Sequence, residues 1–320
     1  MDEGLRFELL GGLSAWRQGR RGEAVPLDLG GPRPRRLLAA LLLSLDRPIP
    51  PDRLIELVWG DEPPESARGS LQACVSKLRR EFEPDRPAGR TSRLLVLVPG
   101  GYQLLVAHAQ LDLGTLERSV AEGIGLVEDG SATAAIDVLA RALAGWAPLL
   151  PELADVAFVR AEADRLDARR RAAFEVLQTA RVAAGAHHDA VADLRRAVAH
   201  DPRAERCWGL LALALYRSGH PAEAIAAIAD ARRALRNATG LELGPELRSL
   251  EADLFAQAPS LAASPAPDRA VPATAPTRSA APRRAAPSAG VVSLGSTPRS
   301  CCHRAGRHRP ARARREHHER

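Results

Sequence analysis

Arg68, Gln72, Ser76, Lys77, Arg79 and Arg80 lie close together, and between them Leu71, Cys74, Val75, Leu78 and Phe82 recur at i, i+3, i+4, i+7 and i+11. An α-helix gathers that spacing into one apolar stripe and leaves the polar residues on its other sides. The polar groups so arrayed have a definite chemistry. Arg or Lys donates twice to guanine O6 and N7, Gln pairs with adenine, and all of them hold phosphate oxygens. Ser70, in the first turns of the same helix, joins this set. Lys77 is the only lysine among 45 basic residues. Downstream, Leu94 to Val98 is rich in strand formers, Pro99-Gly100-Gly101 breaks the run, and Tyr102 to Val106 resumes it. Tyr102 and Gln103 open that second limb. The expected roles are base reading for Arg68, Gln72, Ser76 and Lys77, and phosphate grip for Arg79 and Arg80. Tyr102 and Gln103 would touch the nucleic-acid backbone or the adjacent minor groove.

The elements that must position these residues read in a clear order. Arg6 to Leu10, Leu13 to Trp16 and Val25 to Leu29 are short strands separated by Gly-Gly and by Gln-Gly-Arg-Arg-Gly. A helix starts near Pro32-Arg33-Pro34, proline being tolerated in a first turn, and turns Leu37, Leu38, Leu41, Leu42 and Leu45 inward. Pro50-Pro51-Asp52 opens a second helix with Leu54, Ile55 and Val58, closed at Trp59-Gly60. Ser66 stands where the polar helix needs an N-cap. Strands, three helices and a hairpin, with a basic third helix, make a winged helix-turn-helix over residues 1–106. A charged, solvated helix beside an ordinary hairpin is the plainer alternative.

From Leu111 onward the helical period takes over. Phe174, Leu177, Gly185, Ala190, Leu194 and Ala197 recur 34 residues later as Trp208, Leu211, Gly219, Ala224, Ile228 and Ala231. That period, with small residues where paired helices touch, is the tetratricopeptide pattern. A weaker copy lies at Gly130, Ala135, Leu139 and Ala142, before a linker around Pro148 to Phe158. The expected second domain is residues 107–258. Residues 259–320 are rich in Ala, Pro, Ser and Arg, cannot bury enough apolar surface to offset chain entropy, and are expected to be a disordered tail. The fold class is therefore mainly α with a small β component.

Charge divides along the same boundaries. Residues 1–106 carry 16 basic and 14 acidic groups, 107–258 carry 17 and 22, and 259–320 carry 12 and 3, which sums to the net +6. The high pI reflects the tail, so the case for nucleic acid rests on one helix and not on bulk charge. No segment approaches the ~20 apolar residues of a membrane span. The start Met1-Asp2-Glu3 is the wrong sign for a secretory signal, and four cysteines make no disulfide framework, so a cytoplasmic protein is expected. One lysine leaves no Gly-x-x-x-x-Gly-Lys phosphate loop, and His-Glu-x-x-His, Gly-x-Ser-x-Gly and Gly-x-Gly-x-x-Gly are absent from the sequence. No enzyme, cofactor or metal is expected. His187-His188-Asp189 reads as a solvated repeat turn, and Cys301-Cys302-His303 with His308, His317 and His318 lacks the paired Cys-x-x-Cys spacing of structural zinc.

Several stretches carry a resemblance. They are Leu29-Gly30-Gly31-Pro32-Arg33, Asp52 to Gly60, Pro63-Pro64-Glu65-Ser66-Ala67-Arg68, Leu71-Gln72, Val75 to Arg80, Pro99-Gly100-Gly101-Tyr102, Ala212 to Gly219, and Leu241 to Leu247. In order and spacing, over about four fifths of the chain, these resemble the Streptomyces antibiotic regulatory protein family. That family joins a response-regulator-type winged helix to a tetratricopeptide-like bacterial transcriptional activation domain. The resemblance implies a transcriptional activator of a secondary-metabolite (antibiotic) cluster. It implies double-stranded DNA as partner, with two protomers head to tail on promoter direct repeats, and the RNA polymerase sigma subunit as the recruited target. No receiver domain precedes the winged helix in this sequence, so phosphorelay control is not implied, and a short tail stands where larger members carry an ATPase module. Cys74, Gly69 and the extra apolar residues Leu94 to Val98 depart from the family pattern. The competing function is a tetratricopeptide scaffold or sensor that binds protein partners and does not read DNA.

Overall fold

A computed structural model describes residues 4–19, 23–87 and 89–262. Three short antiparallel strands, β1 (Leu5–Glu8), β2 (Ser14–Gln18) and β3 (Ala24–Pro26), pair in the order β1-β2-β3. Alternation is strict in β1, where Leu5 and Phe7 are buried and Arg6 and Glu8 are exposed. The third strand is shorter than the expected Val25 to Leu29, because Asp28 folds back to accept the Gly30 N–H at 2.8 Å. Helices α1 (Pro32–Leu42), α2 (Pro51–Trp59) and α3 (Ala67–Phe82) follow. Leu37 to Leu42 are all buried, so α1 is the central helix of this part and not a surface one. Ser66 occupies the N-cap position of α3 but makes no side-chain cap hydrogen bond.

The hairpin β4 (Leu95–Val98) and β5 (Gly101–Leu104) turns at Pro99-Gly100. Both glycines are required. Gly100 has φ +106, and a Cβ on Gly101 (φ +138) would stand 1.9 Å from the Ile49 carbonyl oxygen. That close approach lets Tyr102 and Ile49 exchange backbone hydrogen bonds of 2.8 and 2.9 Å, which fasten the hairpin to the segment before α2.

The helical part comprises α4 (Asp112–Glu128), α5 (Ala132–Ala144), α6 (Ala157–Ala183), α7 (His187–His200), α8 (Glu205–Arg217), α9 (Pro221–Thr239) and α10 (Pro245–Ala256). The repeat register predicted from the sequence is observed. Gly130, Gly185 and Gly219 turn the α4–α5, α6–α7 and α8–α9 pairs with φ of +75, +83 and +83. Ala135, Ala190 and Ala224 are fully buried where the paired helices meet. Packing continues past the expected boundary at 258, since Leu261 is buried and its carbonyl accepts from Arg217 Nε at 3.1 Å. Residues 263–320, and with them the tail and its Cys and His cluster, lie outside the described residues.

The winged helix and the repeats form one compact unit, in which the winged-helix core runs on through Leu111, Leu113, Leu150, Val159 and Leu166 while α7 to α10 close a core of their own. Leu9 N–H donates to both Asp112 carboxylate oxygens (3.0 and 3.1 Å) and Leu10 N–H to one (2.9 Å). Leu150 N–H donates to the Leu9 carbonyl and Gly11 N–H to the Pro148 carbonyl, both at 2.8 Å. Glu152 accepts from Leu13 N–H at 2.7 Å and from Arg35 at 3.0 Å. Burial opposes ionisation of Glu152, but these donors outweigh it and hold the carboxyl below its usual range. None of these contacts is local in sequence, which is why the chain reads as two domains.

Candidate nucleic-acid interface

Helix α3 buries Ala67, Leu71, Cys74, Val75, Leu78 and Phe82 against α1, α2 and the strands. The stripe opposite them is Gly69, Gln72, Ala73, Ser76 and Arg80, at i, i+3, i+4, i+7 and i+11, and all five are exposed. Gln72, Ser76 and Arg80 make no side-chain hydrogen bond or ion pair within the described residues, so their donors and acceptors point free into solvent.

Most of the other predicted residues already have partners within the protein. Arg68 is exposed and pairs with Asp52 of α2 at 2.8 Å. Ser70 is half-buried on the flank of the helix. Lys77 Nζ lies 2.7 Å from Asp28 Oδ2. Arg79 Nε donates to the Leu95 carbonyl at 2.8 Å, and its guanidinium sits 5.9 Å from the Tyr102 ring centroid. Gln103 Nε2 donates to the Leu45 carbonyl at 3.1 Å. Tyr102 itself is buried, so in the described state it is a core residue of the hairpin root and not a contact on its surface. The expectation that Arg79 grips phosphate, and that Tyr102 and Gln103 touch backbone, places free groups where the structure shows committed ones. Each partner lies on a different element, so helix periodicity alone does not reveal it.

Sequence reasoning passed over Gly69 and Ala73 as readers because they have no chemistry. The structure puts both on the outward stripe, Gly69 at its start and Ala73 in its middle. Gly69 has helical backbone and nothing within 4 Å of where a Cβ would be. No packing demand explains a residue that costs a helix interior about 1 kcal/mol. Small side chains here let the helix axis approach whatever lies across from it. Gly69→Ala is expected to stabilise the free protein by about 0.5–1 kcal/mol, read as a raised denaturation midpoint. An unchanged or lowered midpoint would mean that the glycine meets a structural need.

Cys74, also on α3, is buried, and burial pushes its thiol above the usual range, so it is not a reactive centre. His187-His188-Asp189 forms the first turn of α7, not a solvated loop. Burial there lowers the His187 pKa, with the Arg217 charge adding to the effect. No group of three or more metal-ligating side chains is present among the described residues. No helix among them is long and apolar enough to cross a membrane.

Two family models cover this architecture. One described as bacterial transcriptional activator domain matches residues 111–255, and one described as transcriptional regulatory protein, C terminal, matches residues 26–104. "Transcriptional regulatory protein MoaR1" of Mycobacterium tuberculosis is 31% identical over 258 residues, covering 80% of each chain. The chain belongs to the Streptomyces antibiotic regulatory protein family. Another family relative, "Regulatory protein AfsR" of Streptomyces coelicolor, is 34% identical over 259 residues, 81% of this chain and 25% of AfsR. The solved structure "Mycobacterium tuberculosis EmbR in complex with low affinity phosphopeptide" superposes with a TM-score of 0.72 at 30% identity, over 79% of this chain and 65% of that one. The chain thus spans a quarter of the length of AfsR and 65% of EmbR. Family membership gives the chain a winged-helix domain of the transcriptional-regulator type joined to a bacterial transcriptional activator domain.

Proposed function

We propose that the protein binds tandem direct repeats in a promoter with α3 in the major groove and recruits RNA polymerase through its helical repeats. The observation that carries this reading is the outward stripe of α3. Gln72, Ser76 and Arg80 stand free along one face, and Gly69 and Ala73 keep that face low. The major groove admits one helix, and a low face brings polar tips within reach of base edges. Gln72 and Ser76, near the middle, are the base readers; Arg80, a turn further on, holds a phosphate or a guanine. Ser70 flanks the face as a backbone contact, and Arg68, paired with Asp52, stands beside it. Regulation of a secondary-metabolite cluster, head-to-tail pairing of two protomers, and the sigma subunit as target are carried from the family. The hydrogen-bonded joint between winged helix and repeats supports the recruitment step, because it would carry the repeat domain onto the DNA in one orientation.

Selection of genomic fragments by the full chain, with the winners bound at several salt concentrations, tests the reading. Enrichment of fragments sharing a direct repeat upstream of a gene is expected. Salt-sensitive binding without a shared motif would reduce the winged helix to a non-specific clamp. No binding at low salt would favour the protein-binding scaffold.

A further inference from the structure

We propose that Lys77 is a positioning residue that fixes how α3 is presented to DNA, and not one of the donors that read it. The inference rests on the DNA-binding reading above and deepens it.

The lysine is held at the surface by Asp28 and lies over Gly30. Its Nζ is 2.7 Å from Asp28 Oδ2, while Asp28 Oδ1 accepts the Gly30 N–H at 2.8 Å. The carboxylate is therefore fixed in the loop before α1, one oxygen for the loop and one for the helix. The lysine stem runs over Gly30. A Cβ there would be 2.5 Å from Lys77 Cε and 3.1 Å from both Cδ and Nζ, and Gly30 has φ +76. The loop is shaped around the lysine, and a base-reading role would require Nζ to leave Asp28 and the stem to swing off the glycine.

The position on the helix agrees. Lys77 is seven residues after Ser70 and so lies on the same flank, beside and not on the stripe of Gln72, Ser76 and Arg80. The opposite flank is held in the same manner by Arg79 on the Leu95 carbonyl, and the start of the helix by Arg68 on Asp52. Three cations of α3 thus tie it to the α1 loop, the hairpin and α2. The polar donor side chains of α3 left without a partner among the described residues are those of the outward stripe, with Ser70 on its flank. Consistent with this, the Lys77 hydrogen bond, with the Gly30 N–H, holds the Asp28 carboxyl below its usual range.

Asp28→Asn separates the two roles, because its amide oxygen can keep the Gly30 N–H while its NH2 removes both the charge and the acceptor facing Lys77. The experiment measures affinity of the full chain for its selected duplex and for a scrambled one, for wild type, Asp28→Asn, Lys77→Met and the double variant, with a melting curve for each. If Lys77 positions α3, Asp28→Asn and Lys77→Met each reduce the preference for the selected duplex about two- to fivefold. The double variant is then no worse than Lys77→Met, and the dependence on salt is unchanged. If Lys77 reads a base or phosphate, Asp28→Asn frees it and leaves binding equal or tighter, while Lys77→Met alone weakens it; that result overturns the proposal. A fall in melting temperature with unaltered preference also overturns it, since the pair would then be stabilising only. Failure of wild type to prefer any duplex would instead sink the DNA-reading function itself.

Discussion

Asp112→Ala is expected to destabilise the protein by about 2–4 kcal/mol, more than the loss of any exposed ion pair on α3. The carboxylate stands at the first turn of α4 and accepts from three backbone N–H groups: Leu9, Leu10 and, at 2.6 Å, Leu113. Leu9 is wholly buried. Truncation leaves donors in the joint between strands and repeats with no acceptor, and an unpaired buried N–H costs about 1–3 kcal/mol. It also removes the one acidic residue in the first turn of α4, where negative charge offsets the helix dipole. In denaturant, the midpoint should fall and the single transition should broaden as winged helix and repeats uncouple. Asp112→Asn, which keeps one acceptor, should recover part of the loss. A shift below about 0.5 kcal/mol, the range of neutral surface substitutions, would mean that the joint is held by apolar packing alone.

Gln72→Ala is expected to erase preference at one base pair of the site, a loss of about 1–3 kcal/mol in discrimination. The side chain is exposed on the outward stripe, has no partner among the described residues to release, and lies a turn from Gly69. Its removal should leave stability unchanged and should not alter the salt dependence, because no phosphate contact is lost. Arg80→Ala provides the contrast. If Arg80 holds phosphate, binding weakens on all sequences alike and the salt slope falls by about one. Competition between duplexes that differ at single positions separates the two patterns. Uniform weakening by Gln72→Ala would remove it from the readers.

How far the sequence disclosed this molecule depended on the range of the interactions. The order of strands, helices and hairpin followed from period and from punctuation by glycine and proline, which are local. The repeats were legible because Gly185 and Gly219, and Ala190 and Ala224, recur at a fixed interval set by helix-pair geometry. The Pro99-Gly100-Gly101 break was legible as a turn, though not the reason for its second glycine, which is the carbonyl of Ile49. The basic helix was legible too, but not which of its polar groups are free. Lys77 answers to Asp28, Arg79 to Leu95 and Gln103 to Leu45, and the last pair is 58 positions apart. The joint was the least visible part, because Asp112 and Glu152 find their partners 103 and 139 positions away. A carboxylate used by distant backbone looks, in sequence, like any surface acid.

The claim that α3 reads DNA in the major groove is tested most directly by base-methylation interference on a duplex selected by the full chain. Guanine N7 faces the major groove and adenine N3 the minor groove. Methylation at N7 within each repeat is expected to abolish binding, with one cluster of sensitive bases per protomer. Interference confined to adenine N3, with N7 methylation tolerated throughout, would contradict major-groove reading and leave the outward stripe of α3 without its role.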